Sequence, residues 1–458
     1  LNLPYHSDSA LLFENIHLLP GAVFLDSCAQ HSKQGRYDIL AALPYLQLDS
    51  FLQYSVITSL SEVTCSRQAP FDILKSLLIK ESIKNQCQEL ADLPFSGGAI
   101  AAINYELTHS CLSEDMQGSD SALMNAGFYD VFIIVDHRNK SCTAYSLGEH
   151  TTERFQRLIK AARQVRAPDS FKLNHTFKRH LTPESYRKNF SSIQEFILSG
   201  DCYQINYTQR FDARYAGDPW FAYKKLRQIS PAPFSAYVNR PQSVVLSHSP
   251  EQFIQHNNGN ITSKPIKGTR ARKPNPQEDA LQQSELIQSK KDRAENTMIV
   301  DLLRNDIGRN AMIGSVNVPL LCQLESYANV HHLVSTITAT LAEKSHPVDL
   351  FRDSFPGGSI TGAPKKRAME IIDELEDCKR NIYCGSIAYF SFNGKLDSNI
   401  TIRTLLCEKP ENEEEESNIY CWGGGGIIAD STLKEEYQES IDKVSNLLKT
   451  LEQTFRCR

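Results

Sequence analysis

Thr182-Pro183-Glu184-Ser185-Tyr186-Arg187-Lys188-Asn189-Phe190-Ser191-Ser192-Ile193-Gln194-Glu195-Phe196-Ile197-Leu198-Ser199-Gly200 runs directly into Asp201-Cys202-Tyr203-Gln204-Ile205-Asn206-Tyr207-Thr208-Gln209-Arg210-Phe211. The hydrophobic period changes between the two. In the first, Thr182 suits an N-cap and Pro183 the first helical position. Tyr186, Phe190, Ile193 and Ile197 then recur at i, i+4, i+7 and i+11, which predicts a helix that Gly200 stops. In the second, Tyr203, Ile205, Tyr207 and Phe211 alternate with Gln204, Asn206, Thr208 and Arg210, the two-residue period of a strand. Its polar face either meets solvent or lines a site.

Residues 1 to about 150 alternate short apolar runs with turn signals. Val131-Phe132-Ile133-Ile134-Val135, closed by Asp136-His137-Arg138-Asn139, predicts a strand and a hairpin-like turn. Residues 151–180 look like a polar, basic connector (Glu153, Arg154, Lys160, Arg163, Arg166, then Pro168), with a boundary near 165–182. Two further helices are expected at about 277–304 and 433–452. Strands are expected at Ser386-Ile387-Ala388-Tyr389-Phe390 and Asn399-Ile400-Thr401-Ile402-Arg403, and residues 410–417 form an acidic surface loop. No internal repeat is visible. Strands and helices without regular βαβ spacing point to an α+β fold of mixed, largely antiparallel sheets carrying helices.

The totals narrow the function. The 458 residues are 41% hydrophobic, enough for one large core or two to three domain-sized ones. Lysine and arginine number 49 against 54 acidic residues, a net charge of −5 spread along the chain. That leaves no polybasic footprint for nucleic acid or an anionic membrane. The 12 cysteines include no C-x-x-C and no zinc spacing, which fits free thiols in a reducing cytoplasm. Leu-Asn-Leu-Pro-Tyr-His does not read as a secretory leader, and no apolar stretch approaches the ~20 residues of a membrane span.

Several features carry chemistry. Glu295, in Asp292-Arg293-Ala294-Glu295-Asn296, stands at i−4 from Ile299 and i−7 from Leu302, so it extends an apolar stripe toward the core. A buried carboxylate needs a cation, either a structural arginine or a metal. On the last helix, Glu436, Glu439 and Lys443 run beside the stripe of Tyr437, Ile441, Val444, Leu448 and Leu451. Two acidic helices of this kind make a shared Mg²⁺ site credible, although an exposed charged face is the ordinary reading of one alone. Gly423-Gly424-Gly425-Gly426 lets successive amides converge on an anion, and Pro356-Gly357-Gly358-Ser359-Ile360-Thr361-Gly362-Ala363-Pro364-Lys365 sets a glycine turn before a helix spaced by Ala368, Met369, Ile372 and Leu375. A plain turn is the commoner reading of either run. The second is not a P-loop, because Gly362 precedes Ala-Pro. Arg403 adds a donor for a second acidic group. Lys267, in Lys264-Pro265-Ile266-Lys267-Gly268-Thr269-Arg270, is a nucleophile candidate, since a lysine near a metal and other cations has a lowered pKa.

These residues together resemble the chorismate-utilising enzymes, among them the synthases of aminodeoxychorismate, anthranilate, isochorismate and salicylate. The matching pieces, in order, are Ser249-Pro250-Glu251-Gln252-Phe253, Pro265 to Thr269, Asp292 to Asn296, and Leu302-Leu303-Arg304-Asn305-Asp306-Ile307-Gly308-Arg309. His331-His332-Leu333-Val334-Ser335, Pro356 to Lys365, Ile402-Arg403-Thr404, Gly424-Gly425-Gly426-Ile427 and Glu436-Tyr437-Gln438-Glu439 follow. They cover about 183–450.

The resemblance implies two large mixed or antiparallel sheets packed face to face with helices outside, as in anthranilate synthase component I. It also implies a catalytic domain at 182–455 after an N-terminal region at 1–165. Within the family Lys267 marks the aminodeoxychorismate branch, because anthranilate synthases usually carry a small residue there. By resemblance Lys267 attacks C2 of chorismate, the C4 hydroxyl leaves, and ammonia adds at C4. Glu251 is then the general acid/base, with His332 near the ring. Glu295, Glu436 and Glu439 match magnesium ligands. Arg403 with the Gly424, Gly425 and Gly426 amides matches the hold on the enolpyruvyl carboxylate, and Gly268, Thr269, Thr361 and Lys443 match other substrate contacts. A separate glutamine amidotransferase subunit would supply the ammonia. Relatives also form a tryptophan pocket, which maps onto Ser27, Arg36, Tyr37 and Asp38 with Pro233, Phe234 and Ser235 opposite. The shorter Asp26 stands where relatives carry glutamate.

Overall fold

The computed structural model describes all residues except 30–34, 85–87, 112–120, 149–150, 165–169, 328–329, 411–414 and 457–458. The helix expected after Thr182 spans Pro183–Leu198, and the Thr182 hydroxyl accepts from the Ser185 amide at 3.1 Å. The alternating stretch after it is the strand Gln204–Gly217, a long ladder against Ser417–Ile428. Tyr203 precedes it and is exposed, while Ile205, Tyr207 and Phe211 are buried as the alternation requires.

Among the described residues the strands form two sheets, of 13 and 12 strands, whose ladders are all antiparallel. The first places Val131–Asp136, Tyr37–Ala41, Val23–Asp26, Phe234–Asn239, Ser243–Ser249, Thr404–Glu408, Ser417–Ile428 and Gln204–Gly217 side by side. The second places Ile266–Ala271, Val330–Thr340, Asn260–Ser263, Gln252–Asn257, Leu396–Asn399, Ser386–Ser391, Gly98–Ile103 and Met124–Tyr129 in that order. Strands from 1–165 and from 182–455 therefore enter both sheets.

The main core lies between the sheets. Val23, Ile134, Val245 and Leu406 of the first meet Leu48, Ile100, Ile254 and Phe390 of the second. Their chain neighbours Phe24, Ile133, Leu246 and Leu405 point outward, under helices Thr152–Arg163, Pro219–Ile229 and Leu433–Phe455. A sheet buried on both faces explains why Val131–Val135 is continuously apolar rather than alternating. Nothing in the described helices is long and apolar enough to cross a membrane.

Three expectations change. The helix drawn over 277–304 is two, Pro276–Gln288 and Lys290–Gly308, because the extended backbone of Ser289 breaks it and the Ser289 hydroxyl caps the second. The connector at 151–180 contains the helix Thr152–Arg163, whose Leu158, Ile159, Ala161 and Ala162 are buried between its basic residues. The strand over 399–403 ends at Asn399. The boundary near 165–182 and the acidic loop at 410–417 fall partly outside the described residues.

That shortened strand positions the site. Ser243–Ser249 belongs to the first sheet and Gln252–Asn257 to the second, so Pro250 and Glu251 form a crossing between sheets. Residues 400–403 form a second crossing, from Leu396–Asn399 back to Thr404–Glu408. The two lie together: the Ile400 amide donates to the Glu251 carbonyl at 3.1 Å, and the Ser249 hydroxyl donates to the Ile400 carbonyl at 2.6 Å. Glu251 and Arg403 are thus delivered to one place by two sheet-switching links.

Candidate active site

A cleft of about 1170 Å³ opens at these crossings, lined among others by Glu251, Lys267, His332, Arg403, Glu295, Glu436 and Glu439. Lys267 arrives on the strand Ile266–Ala271. Its pairing with Val330–Thr340 slips at Gly268, which re-aims the side chains on either side. Gly268 has φ +82°, and a Cβ there would lie 2.9 Å from Asp292 Cβ, so the bulge needs glycine twice over.

The Lys267 ammonium lies 2.8 Å from Glu295 Oε1 and donates to the Ser359 carbonyl at 3.1 Å. The cation that Glu295 required is therefore the candidate nucleophile itself. Asp292, one turn earlier, pairs with Arg270 at 3.2 Å. Gln204, from the polar face of the alternating strand, donates to Glu295 at 3.0 Å, and Asn206 lines the cleft. That face is a lining at these two positions.

The electrostatics correct one expectation. Burial pushes Lys267 down, but Glu295, with Glu251 and Glu439 beyond it, more than compensates and holds its pKa above the ordinary lysine value. Its neighbours are carboxylates rather than cations. Burial raises Glu295 and Glu439, yet Lys267 beside one and Lys443, 2.7 Å from the other, keep both below the usual carboxylate range. Burial holds Glu251 above that range, against Lys267 and the Ser359 hydroxyl, which donates to its Oε1 at 3.0 Å. His332 is depressed to about 4 by burial and by the Arg403 charge, so it is neutral at pH 7, with Nδ1 2.8 Å from the Thr269 hydroxyl.

The glycine run is a strand, not a turn. Thr208 and Asn206 send their amides to Glu376 and to the Thr361 carbonyl, away from Ser417–Ile428. By antiparallel alternation their partners Gly424 and Gly426 direct their own amides to the opposite side. There the neighbouring strand has already ended, with Leu405 against Cys421. Both amides so face the region of the cleft. The missing side chains matter as well. A Cβ on Gly425 would lie 3.2 Å from Glu436 Oε2 and 3.4 Å from Glu439 Oε1, and one on Gly426 would lie 3.0 Å from Glu295 Oε1. Three carboxylates thus pack onto bare backbone.

A chorismate binding enzyme family model matches residues 43–449. The chain belongs to the chorismate-binding enzymes. It is 44% identical to aminodeoxychorismate synthase component 1 of Escherichia coli (strain K12) over 456 residues, covering 99% of this chain and 98% of that protein. It is 32% identical to anthranilate synthase component 1 of Acetivibrio thermocellus over 475 residues, covering 98% and 93%. The crystal structure of anthranilate synthase component I from Streptococcus pneumoniae TIGR4 superimposes with a TM-score of 0.76 at 28% identity, covering 91% of this chain and 93% of that one. The two-sheet α+β architecture expected from the resemblance is the one observed.

Of the residues carried over from the chorismate-binding family, all but two catalytic-cleft positions line the cleft. Thr361 is fully buried and its hydroxyl donates back to the Gly357 carbonyl at 3.1 Å. Gly425 lies behind its neighbours, against Glu436 and Glu439. A metal fits the donor set. Glu436 is buried with Oε2 free of any hydrogen-bond partner, while its Oε1 accepts from Ser431 at 2.6 Å and lies 3.7 Å from Lys291. Among the described residues the three carboxylates do not stand as one closed cluster, and a lysine ammonium lies against each of them.

A second cavity of about 650 Å³ gathers Ser27, Arg36, Tyr37, Pro233, Phe234 and Ser235, and Pro250 and Ile266 wall both cavities. Asp38 stands behind it, accepting from Ser27 at 2.7 Å and from His137 at 2.8 Å. The shorter Asp26 is taken up by Arg227 at 2.6 Å and Tyr223 at 3.0 Å. Ser359, Lys291 and Ser431 escaped the sequence reading. Ser359 lies inside the quoted glycine turn, but nothing in its spacing shows which way the side chain points.

Proposed function

We propose that the chain aminates chorismate at C4 with ammonia, giving 4-amino-4-deoxychorismate for the para-aminobenzoate branch of folate biosynthesis. The observation that carries this reading is Lys267 and Glu251 in one cleft, both touching Ser359. Lys267, once it has given up a proton, attacks C2; the ring double bonds shift and the C4–O bond breaks. Glu251, whose carboxyl burial pushes above the usual range, hands a proton to that oxygen, so water leaves. Ammonia then adds at C4, Glu251 takes the surplus proton, and the bond to Lys267 breaks. One difficult displacement becomes two easier ones. Arg403 has no ion-pair partner among the described residues and, with the Gly424 and Gly426 amides, supplies donors for the enolpyruvyl carboxylate.

Glu295, Glu436 and Glu439 are the residues that would hold Mg²⁺, which when bound would neutralise the ring carboxylate of chorismate and orient the ring. The ammonia comes from a separate glutamine amidotransferase subunit, in keeping with relatives named as component 1. A cytoplasmic setting suits the free thiols of the nine described cysteines. The second cavity takes tryptophan, which calorimetric titration of the free amino acid tests.

The decisive experiment supplies purified protein with Mg²⁺, chorismate and an ammonium salt and identifies the product. Aminodeoxychorismate, converted to para-aminobenzoate only when a lyase is added, supports the reading. Fluorescent anthranilate with pyruvate would instead make the chain an anthranilate synthase component, and isochorismate would mean that water is the nucleophile. No turnover at all would favour a silent binding protein.

A further inference from the structure

Ser359 touches both groups to which the reaction is assigned. Its hydroxyl donates to Glu251 Oε1 at 3.0 Å, and its carbonyl accepts from Lys267 Nζ at 3.1 Å. Only 6% of the residue is exposed, so neither contact competes with bulk water. We propose that Ser359 is the positioning residue that fixes Lys267 and Glu251 relative to one another, and that the buried Asp306–Lys365 ion pair holds it in place. The proposal rests on the aminating reading of this cleft.

The two contacts divide the work. The serine hydroxyl on Oε1, with the Ile266 backbone also bonded to the carboxylate, sets the orientation from which Glu251 exchanges a proton at C4. The carbonyl fixes one N–H of Lys267, so the amine swings about a defined axis when it turns from Glu295 toward C2. Both contacts leave one residue, so a shift of its backbone carries the carbonyl and the hydroxyl together. Any displacement of the loop misplaces nucleophile and acid together.

The loop is fastened on three sides. Gly358 is pressed onto the helix Lys290–Gly308, where a Cβ would lie 2.3 Å from Leu302 Cδ2. The Ile360 carbonyl accepts from the buried Arg380 at 2.8 Å. Lys365, just past the loop, reaches Asp306 at 2.6 Å and the Ser354 carbonyl at 2.9 Å. Asp306 stands on the helix that also carries Glu295, about three turns further on. The helix therefore acts as a rigid spacer between the anchor of the loop and the partner of Lys267.

The test compares wild type, Ser359→Ala, Ser359→Thr and Asp306→Asn. Intact-mass spectrometry follows the chorismate adduct on Lys267, and steady-state kinetics with ammonium follows product. Ser359→Ala should slow both adduct formation and kcat by roughly 10- to 100-fold, with KM for chorismate little changed. Ser359→Thr, which keeps the hydroxyl, should restore most of the loss. Asp306→Asn should lower kcat in the same direction without touching any residue in the cleft. A wild-type adduct with unaltered kcat in Ser359→Ala overturns the proposal, as does a loss confined to KM or one that threonine fails to restore. Absence of the adduct in wild type is a different failure, because it removes the aminating reading and this proposal with it. Ser359→Ala leaves the loop backbone and the Asp306–Lys365 pair intact, so it decides the matter even if Asp306→Asn does not fold.

Discussion

Lys267 on the strand Ile266–Ala271 and Glu295 on the helix Lys290–Gly308 meet at 2.8 Å inside the cleft, each the nearest countercharge of the other. Each holds its partner charged against burial. The pair favours the protonated form of Lys267 and sets it in the cleft that Glu436 and Glu439 also line.

Lys267→Ala should abolish the covalent adduct with chorismate and lower turnover by at least ~100-fold. Intact mass after mixing with chorismate measures the first, and product formation with ammonium the second. An adduct of unchanged mass and yield in the variant would sink the assignment of Lys267.

Glu295→Gln should shift the magnesium concentration needed for half-maximal activity upward by at least ~10-fold. A ligand charge is lost and the amide is a weaker oxygen donor. A magnesium titration superimposable on wild type would remove Glu295 from the ligand set.

Gly426→Ala places a Cβ 2.2 Å from Gln204 Nε2 and 3.0 Å from Glu295 Oε1. Gln204 has to move, and Glu295 loses its donor. Activity should fall at least ~10-fold for a stability cost of only about 1–3 kcal/mol, the usual range for overpacking. Urea unfolding beside steady-state kinetics separates the two effects.

Stability should fall in acid, and the sign follows from two buried histidines. Burial holds His332 near 4 and His248 near 3, below the ordinary 6.5, and His248 has neither ring nitrogen hydrogen-bonded. Below pH 6.5 the unfolded chain takes up protons that the folded chain refuses. Their contribution is complete above 6.5 and is lost as pH drops toward 4. Asp397, raised to about 6 by burial, opposes this over part of the window. These three groups together should contribute a loss of about 3 kcal/mol between pH 7 and pH 4.5. Urea midpoints at the two pH values check it, and His248→Phe should flatten the slope; equal midpoints in wild type would contradict the argument.

Arg380→Met should cost ~3–5 kcal/mol, because it leaves the buried Glu376 without its cation and frees the carbonyls of Ile360 and Asn206. The same denaturation experiment measures it.

How far the sequence reaches is clearest in particular elements. The switch of period at Gly200 gave the helix and strand at 183–217, because capping and side-chain alternation are local properties. Glu295 could be read as a carboxylate aimed inward, since its distance from Ile299 along a helix is fixed. Its partner could not be read. Lys267 lies 28 residues away on another element, and only the bulge at Gly268 turns it toward that helix. The glycine run looked like a turn because glycine is rare in strands, and its reason for being there is the approach of three carboxylates from two helices.

The sequence by itself determined many of the local elements, the inward tilt of Glu295 and, through its ordered motifs, membership in the chorismate-binding family. Only the tertiary structure decided that the links at 250–251 and 400–403 change sheets side by side, bringing Glu251 and Arg403 to one cleft. It also decided that lysines stand against Glu295, Glu436 and Glu439, and that Ser359 joins Lys267 to Glu251. Hydrophobic period and capping act over one or two turns and are written in adjacent residues. A countercharge or a hydrogen-bond partner acts through space, and the chain order of two residues says nothing about the distance between them until the sheets have packed.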